Sequence, residues 1–159
     1  MGVHPAVRVL TMRPEPAIFL GGDELLAAIR GHHVPGHPVA RLASRLGAAH
    51  RSELDATTDP ADLLWRRTGL IAAIDLWLTA RLPVPQPGAP LHTETAGTMI
   101  DRIAGAQVHA YRLLMTVPPA DPRVHSAWHR LAELVTGYTD CATEVVRGQR
   151  RLPILGDHW

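Results

Sequence analysis

Apolar positions recur at three- and four-residue intervals along most of the chain, and proline and glycine cut this pattern into helix-sized blocks. Asp23 to Arg30 reads as a short helix. The loop Gly31 to Pro38 follows, where Gly31, Pro35, Gly36 and Pro38 prevent regular structure. A second helix is expected from about Val39 to Asp55. Asp59-Pro60 sets an N-cap acid before a first-turn proline and launches a long helix to about Leu82, where Pro83, Pro85, Pro87 and Pro90 forbid continuation. A fourth helix starts at Thr93 or Thr95 and runs to about Met115, ahead of Pro118-Pro119. Asp121-Pro122 repeats the acid-proline start for a last helix that ends near Arg147 with Gly148 as terminator.

The faces of these blocks agree with helices packed on one another. In the last helix Val124, Ala127, Trp128, Leu131, Leu134, Val135, Tyr138, Ala142 and Val145 form one stripe, with His129, Glu133, Asp140 and Glu144 opposite. Leu63, Leu70, Ile71, Ile74, Trp77 and Leu78 form the stripe of the Pro60 helix, and Met99, Ile100, Ile103, Ala110 and Leu114 that of the fourth. With short connections, these predict an all-α, four-helix bundle-like fold, mainly antiparallel, with a short extra N-terminal helix. The expected division is an irregular segment over 1–22, a helical bundle domain over 23–148 and a C-terminal tail over 149–159.

Composition narrows the function classes. A chain of 159 residues suits one domain, and a net charge of +1 with 4% aromatic residues argues against a nucleic-acid partner. Cys141 is the lone cysteine, which excludes internal disulfides and thiolate-rich zinc sites and favours a cytoplasmic setting; it falls at the edge of an apolar stripe. Pro14 and Pro16 interrupt the N-terminal segment, so no signal peptide is expected. The longest apolar runs, such as Leu70 to Ile74, are too short for a membrane span. Lysine is absent, which removes Schiff-base chemistry, lysine-anchored pyridoxal phosphate and the P-loop lysine. No G-x-G-x-x-G, G-x-S-x-G or Glu-x-x-His motif occurs, and no metal site or cofactor is expected.

The informative anomalies are polar groups within apolar stripes. Arg67 lies in the stripe of the Pro60 helix and reads either as an anion clamp or as the partner of Glu53 in an internal ion pair. His50 and Glu53 share a face with Leu42, Leu46 and Ala49, as a general base with its orienting carboxylate or as a satisfied core histidine. Gln107 and Tyr138 also sit on apolar faces. His92 and Glu94, at the start of the fourth helix, suit a base with its orienter, metal ligands together with Asp101, or helix capping. Asp101 and Arg102 fall off the apolar stripe and read as solvated charges or a subunit contact. Helical rise in an up-and-down bundle places His50, Glu53, Arg67 and Gln107 near the end carrying Asp59 and Asp121, and Asp75, His92, Glu94, Asp101 and Tyr138 toward the other.

The segment Leu91-His-Thr-Glu-Thr-Ala-Gly-Thr-Met-Ile-Asp-Arg102, with Arg67 to Asp75 before it and Gly137-Tyr138 and Asp140 after it, resembles the bacterial family known as domain of unknown function 4254. The resemblance runs from about Ala49 to Pro153. It implies a helical fold and the motif positions Arg67, Asp75, His92, Glu94, Asp101 and Arg102; Glu53 stands where the resemblance implies Asn.

Two functions remain open. One is a cofactor-free lyase, isomerase or cyclase acting on a small anionic or polar metabolite, with His92 or Glu94 moving a proton, Arg67 or Arg102 holding the anion, and Asp75 and Asp101 orienting them. His50, Glu53 and Tyr138 would complete the substrate contacts. The other is a non-catalytic homodimer, ligand-binding or scaffold, with Asp101 and Arg102 bridging a two-fold axis. The first requires a cavity that reaches both Arg67 and Glu94.

Overall fold

The computed structural model describes residues 17–153 and contains five helices, α1 (Gly22–Ile29), α2 (Pro38–Asp55), α3 (Pro60–Thr79), α4 (Ala96–Thr116) and α5 (Pro122–Val146). The expectations for 1–16 and 154–159 fall outside the described residues. The start signals act as side-chain caps. Asp59 accepts from the Ala61 amide, Asp121 from the Arg123 amide, and Thr95, rather than Thr93, from the Thr98 amide. His37 caps α2 in the same way, through Nδ1 and the Val39 amide. The α3 helix stops at Thr79 rather than Leu82 and tightens into a turn, with the Arg81 amide on the Leu78 carbonyl. Pro83 is the reason, because its ring denies Leu82 the α conformation.

Helix α4 is the hub and packs against all four others, whereas α3 touches α2 and α4, and α5 touches α4 and α1. Helices α2 and α3, and α3 and α4, run antiparallel. The His37 ring lies 4.8 Å from that of Trp77 while Glu53 approaches Arg67 across α2 and α3, and Asp75 meets Gly97 while Arg67 meets Asp101 across α3 and α4. Helix α1 is an integral part of this packing, wedged against α2, α4 and α5 with Leu25 and Ile29 fully buried. They join Leu46, Ile74, Ile100 and Ile103 in one core, where each side chain contributes roughly 1.5–3 kcal/mol by leaving water. Cys141 belongs to this core, and burial pushes its thiol pKa up. The outer face of α3 instead exposes Leu64, Trp65 and Leu76.

Glycine sets two close approaches. A Cβ on Gly47 would lie 2.2 Å from the Ile29 carbonyl oxygen, and one on Gly97 would lie 2.5 Å from that of Ile71. The helix backbones therefore touch at these points. After α5, Gly148 takes φ +72 and turns the chain back along the segment before α4. Arg151 donates its amide to the Pro90 carbonyl and accepts from the His92 amide, while the Gln86 amide donates to the Gly148 carbonyl. Leu91 and Arg151 thereby form an isolated parallel bridge.

Candidate functional site

The polar anomalies resolve into three places. The first is a junction where α2, α3 and α4 meet. Arg67 donates Nε and Nη2 to the two carboxylate oxygens of Asp101, at 3.1 and 2.8 Å, and His50 Nε2 lies 2.9 Å from Oδ1. Glu53 stands 4.0 Å from both His50 and Arg67, with its side chain mostly exposed. Burial pushes the Asp101 carboxyl pKa up, but the hydrogen bonds from His50 and Arg67 outweigh it and hold it at about 2. Those same contacts raise the Arg67 pKa, chiefly through the Asp101 hydrogen bond. The fork–carboxylate geometry fits an internal strut, and Gly105 leaves room for the His50 ring, since a Cβ there would lie 3.0 Å from it.

Asp101 corrects two expectations. It is 7% exposed rather than solvated, and it joins His50 and Arg67 rather than His92 and Glu94. The reason is the central place of α4, which buries Gly97, Asp101 and Ala104 as well as Met99, Ile100 and Ile103. A single apolar stripe does not describe a helix with partners on every side. Within the chain the Asp101 carboxylate is occupied by Arg67 and His50. Glu53 remains a minor partner of Arg67, whose main partner is Asp101.

The second place is the start of α4. Asp75 is 6% exposed and accepts the Gly97 amide at 2.7 Å, so an α3 carboxylate caps the positive end of α4. Burial raises its pKa, opposed by the hydrogen bonds from Gly97 and Thr95. The Glu94 amide donates to His92 Nδ1 at 3.1 Å, and burial, reinforced by the Arg150 cation, pushes the His92 pKa down, keeping the ring neutral at pH 7. Arg102 closes an ion pair with Glu94. His92, Glu94, Arg102, Glu133 and Tyr138 border a hollow of about 260 Å³. The Tyr138 hydroxyl is not free for a substrate, because it is buried and donates to the Leu20 carbonyl at 2.8 Å. Tyr138→Phe is accordingly expected to lower the unfolding free energy by about 1–2 kcal/mol through the orphaned carbonyl, as read by urea denaturation.

Among the described residues, Glu94 lines the hollow at the start of α4, whereas Arg67 and Asp101 border neither that hollow nor the three larger clefts. Among the described residues no group of three or more His, Cys, Asp and Glu side chains is placed to hold a metal.

The third place is a cleft of about 570 Å³ bordered by α2, α4, α5 and the end of α1. Leu54, Tyr111, Leu114, Met115 and Trp128 supply apolar walls, and Arg30, Arg51 and Arg112 supply cations beside His32. Arg51 donates to the Ile29 carbonyl at 2.9 Å, and Arg112 stands 3.6 Å from Asp55. Gln107 forms the floor. It is 3% exposed. Depth alone places Gln107 beside Arg67; in the structure its side chain faces this cleft instead. The arginines of the cleft carry no motif, and the one signal for it was the excess of apolar residues closing α4, Leu113-Leu114-Met115.

An all-helical bundle built round one buried helix, with a closed Arg–Asp–His strut and a cleft of ligand size beside it, defines the class of this protein. No described helix is long and apolar enough to cross a membrane. The chain belongs to the family described as protein of unknown function, DUF4254, whose model matches residues 59–154. The match spans Arg67, Asp75, His92, Glu94, Asp101 and Arg102 and leaves out His50 and Glu53. No curated protein and no solved structure matches the chain.

Proposed function

We propose that this protein binds a small molecule in the cleft floored by Gln107. The observation that supports this reading is a cavity walled by large apolar side chains, with guanidinium groups at its border and Gln107 at its base. The cavity volume falls in the range of ordinary ligand sites. The motif residues of the family have other tasks on this reading: Arg67 and Asp101 tie three helices together, and Asp75 and His92 shape the start of α4.

Acid-base catalysis of the lyase, isomerase or cyclase kind is the second reading, now confined to the hollow at the start of α4. What favours it is a neutral imidazole beside the Glu94 and Arg102 pair. One experiment separates the two. In an NMR fragment screen on the labelled chain, shifts clustered at Gln107, Tyr111 and Trp128 support the binding protein, and shifts clustered at His92 and Glu94 support the enzyme. Gln107→Leu is expected to lose those hits that hydrogen-bond the floor. Absence of any cluster at the cleft ends the binding proposal.

A further inference from the structure

We infer that the ligand of the cleft is an amphipathic organic anion, a carboxylate, sulfonate or phosphate group joined to an apolar body. This rests on the cleft being the binding site and adds the chemical class of its occupant. Three guanidinium groups, on Arg30, Arg51 and Arg112, border the cavity against the single carboxylate of Asp55. Neither cleft contact of these arginines consumes a whole fork. Arg51 places Nη1 on the Ile29 carbonyl, and Arg112 places Nη1 toward Asp55 at a distance longer than a hydrogen bond. Planar forks with unspent donors match the oxygens of a carboxylate or a phosphate.

The rest of the lining selects the body of the molecule. Leu54, Tyr111, Leu114 and Met115 are large apolar side chains left exposed, and all four border this one cavity with Val108 and Trp128. A compact inorganic anion would leave these walls in water. A neutral hydrocarbon would desolvate the arginines without pairing them, and an organic cation would meet like charge. An elongated anion with its charged end on the guanidinium groups and its apolar end on these walls satisfies both sets. Gln107 offers one donor pair and one acceptor at the floor, which suits a carbonyl or hydroxyl on the ligand body.

The test uses the full chain and three probes that share a decyl tail: decanoate, decanol and decyltrimethylammonium. Affinities are read from tryptophan fluorescence and the location from amide chemical shifts. The expected result is decanoate seated against Tyr111, Met115 and Trp128, bound about ten-fold or more tightly than decanol, with the cation weakest. Arg112→Gln, a surface change that leaves the fold intact, is expected to reduce decanoate affinity about ten-fold and leave decanol unchanged. Equal binding of all three probes in the cleft overturns the anion assignment while the binding site stands. Binding of none of them there overturns the assignment together with the proposed function.

Discussion

Replacing Asp101 with Asn is expected to destabilise the protein by about 3 kcal/mol, because it strips the counter-charge from Arg67 and the hydrogen-bond partner from His50 while both stay inside the junction. The side chain hardly changes in size, so the loss isolates charge and hydrogen bonding from packing. Urea denaturation at pH 7 measures it. The acid limb of stability supplies a second readout. The Asp101 pKa is held at about 2, below the ordinary value of 3.8, so the native state binds this proton less readily than the unfolded chain. Its contribution, about 2 kcal/mol, is complete above pH 4 and is lost as pH falls toward 2. The Asn variant should lack that part of the decline. A variant within 1 kcal/mol of the parent, with an unchanged acid profile, would show that the junction does not hold the helices together.

Gly47→Ala is expected to cost about 2–3 kcal/mol, although alanine is the better helix former by about 1 kcal/mol. The added Cβ would sit 2.2 Å from a backbone carbonyl oxygen of α1, which cannot rotate aside as a side chain can. Helix α1 must move off α2, and the contact between Arg51 and Ile29 is lost with it. Gly69→Ala is the control, since a Cβ at Gly69 meets nothing within 4 Å, and it should instead stabilise by about 1 kcal/mol. Thermal melts of the two variants should shift in opposite directions. Equal shifts would mean that α1 and α2 are not in contact at Gly47.

The helices were legible because their signals are local. Asp59-Pro60 and Asp121-Pro122 specify their own helix starts, and the α5 stripe from Val124 to Val145 needs no knowledge of its partners. The junction was only half legible. Arg67 and His50 stand out as polar residues among apolar ones, but their partner Asp101 reads as surface when one stripe is assigned to α4, and only a helix surrounded by four others buries it. Gln107 announces itself as a polar residue on an apolar face. Its surroundings do not, because Arg30 and Arg51 reach the cleft through the contact between α1 and α2, far from Gln107 in the chain.

The parallel bridge between Leu91 and Arg151 makes a closed ring of α4 and α5, fastened by two backbone hydrogen bonds of Arg151, to Pro90 and from His92, on either side of Leu91. The amide of His92 belongs to that fastening, while its imidazole belongs to the hollow. One residue thus joins the segment after α5 to the start of α4 through its backbone and borders the hollow with its ring.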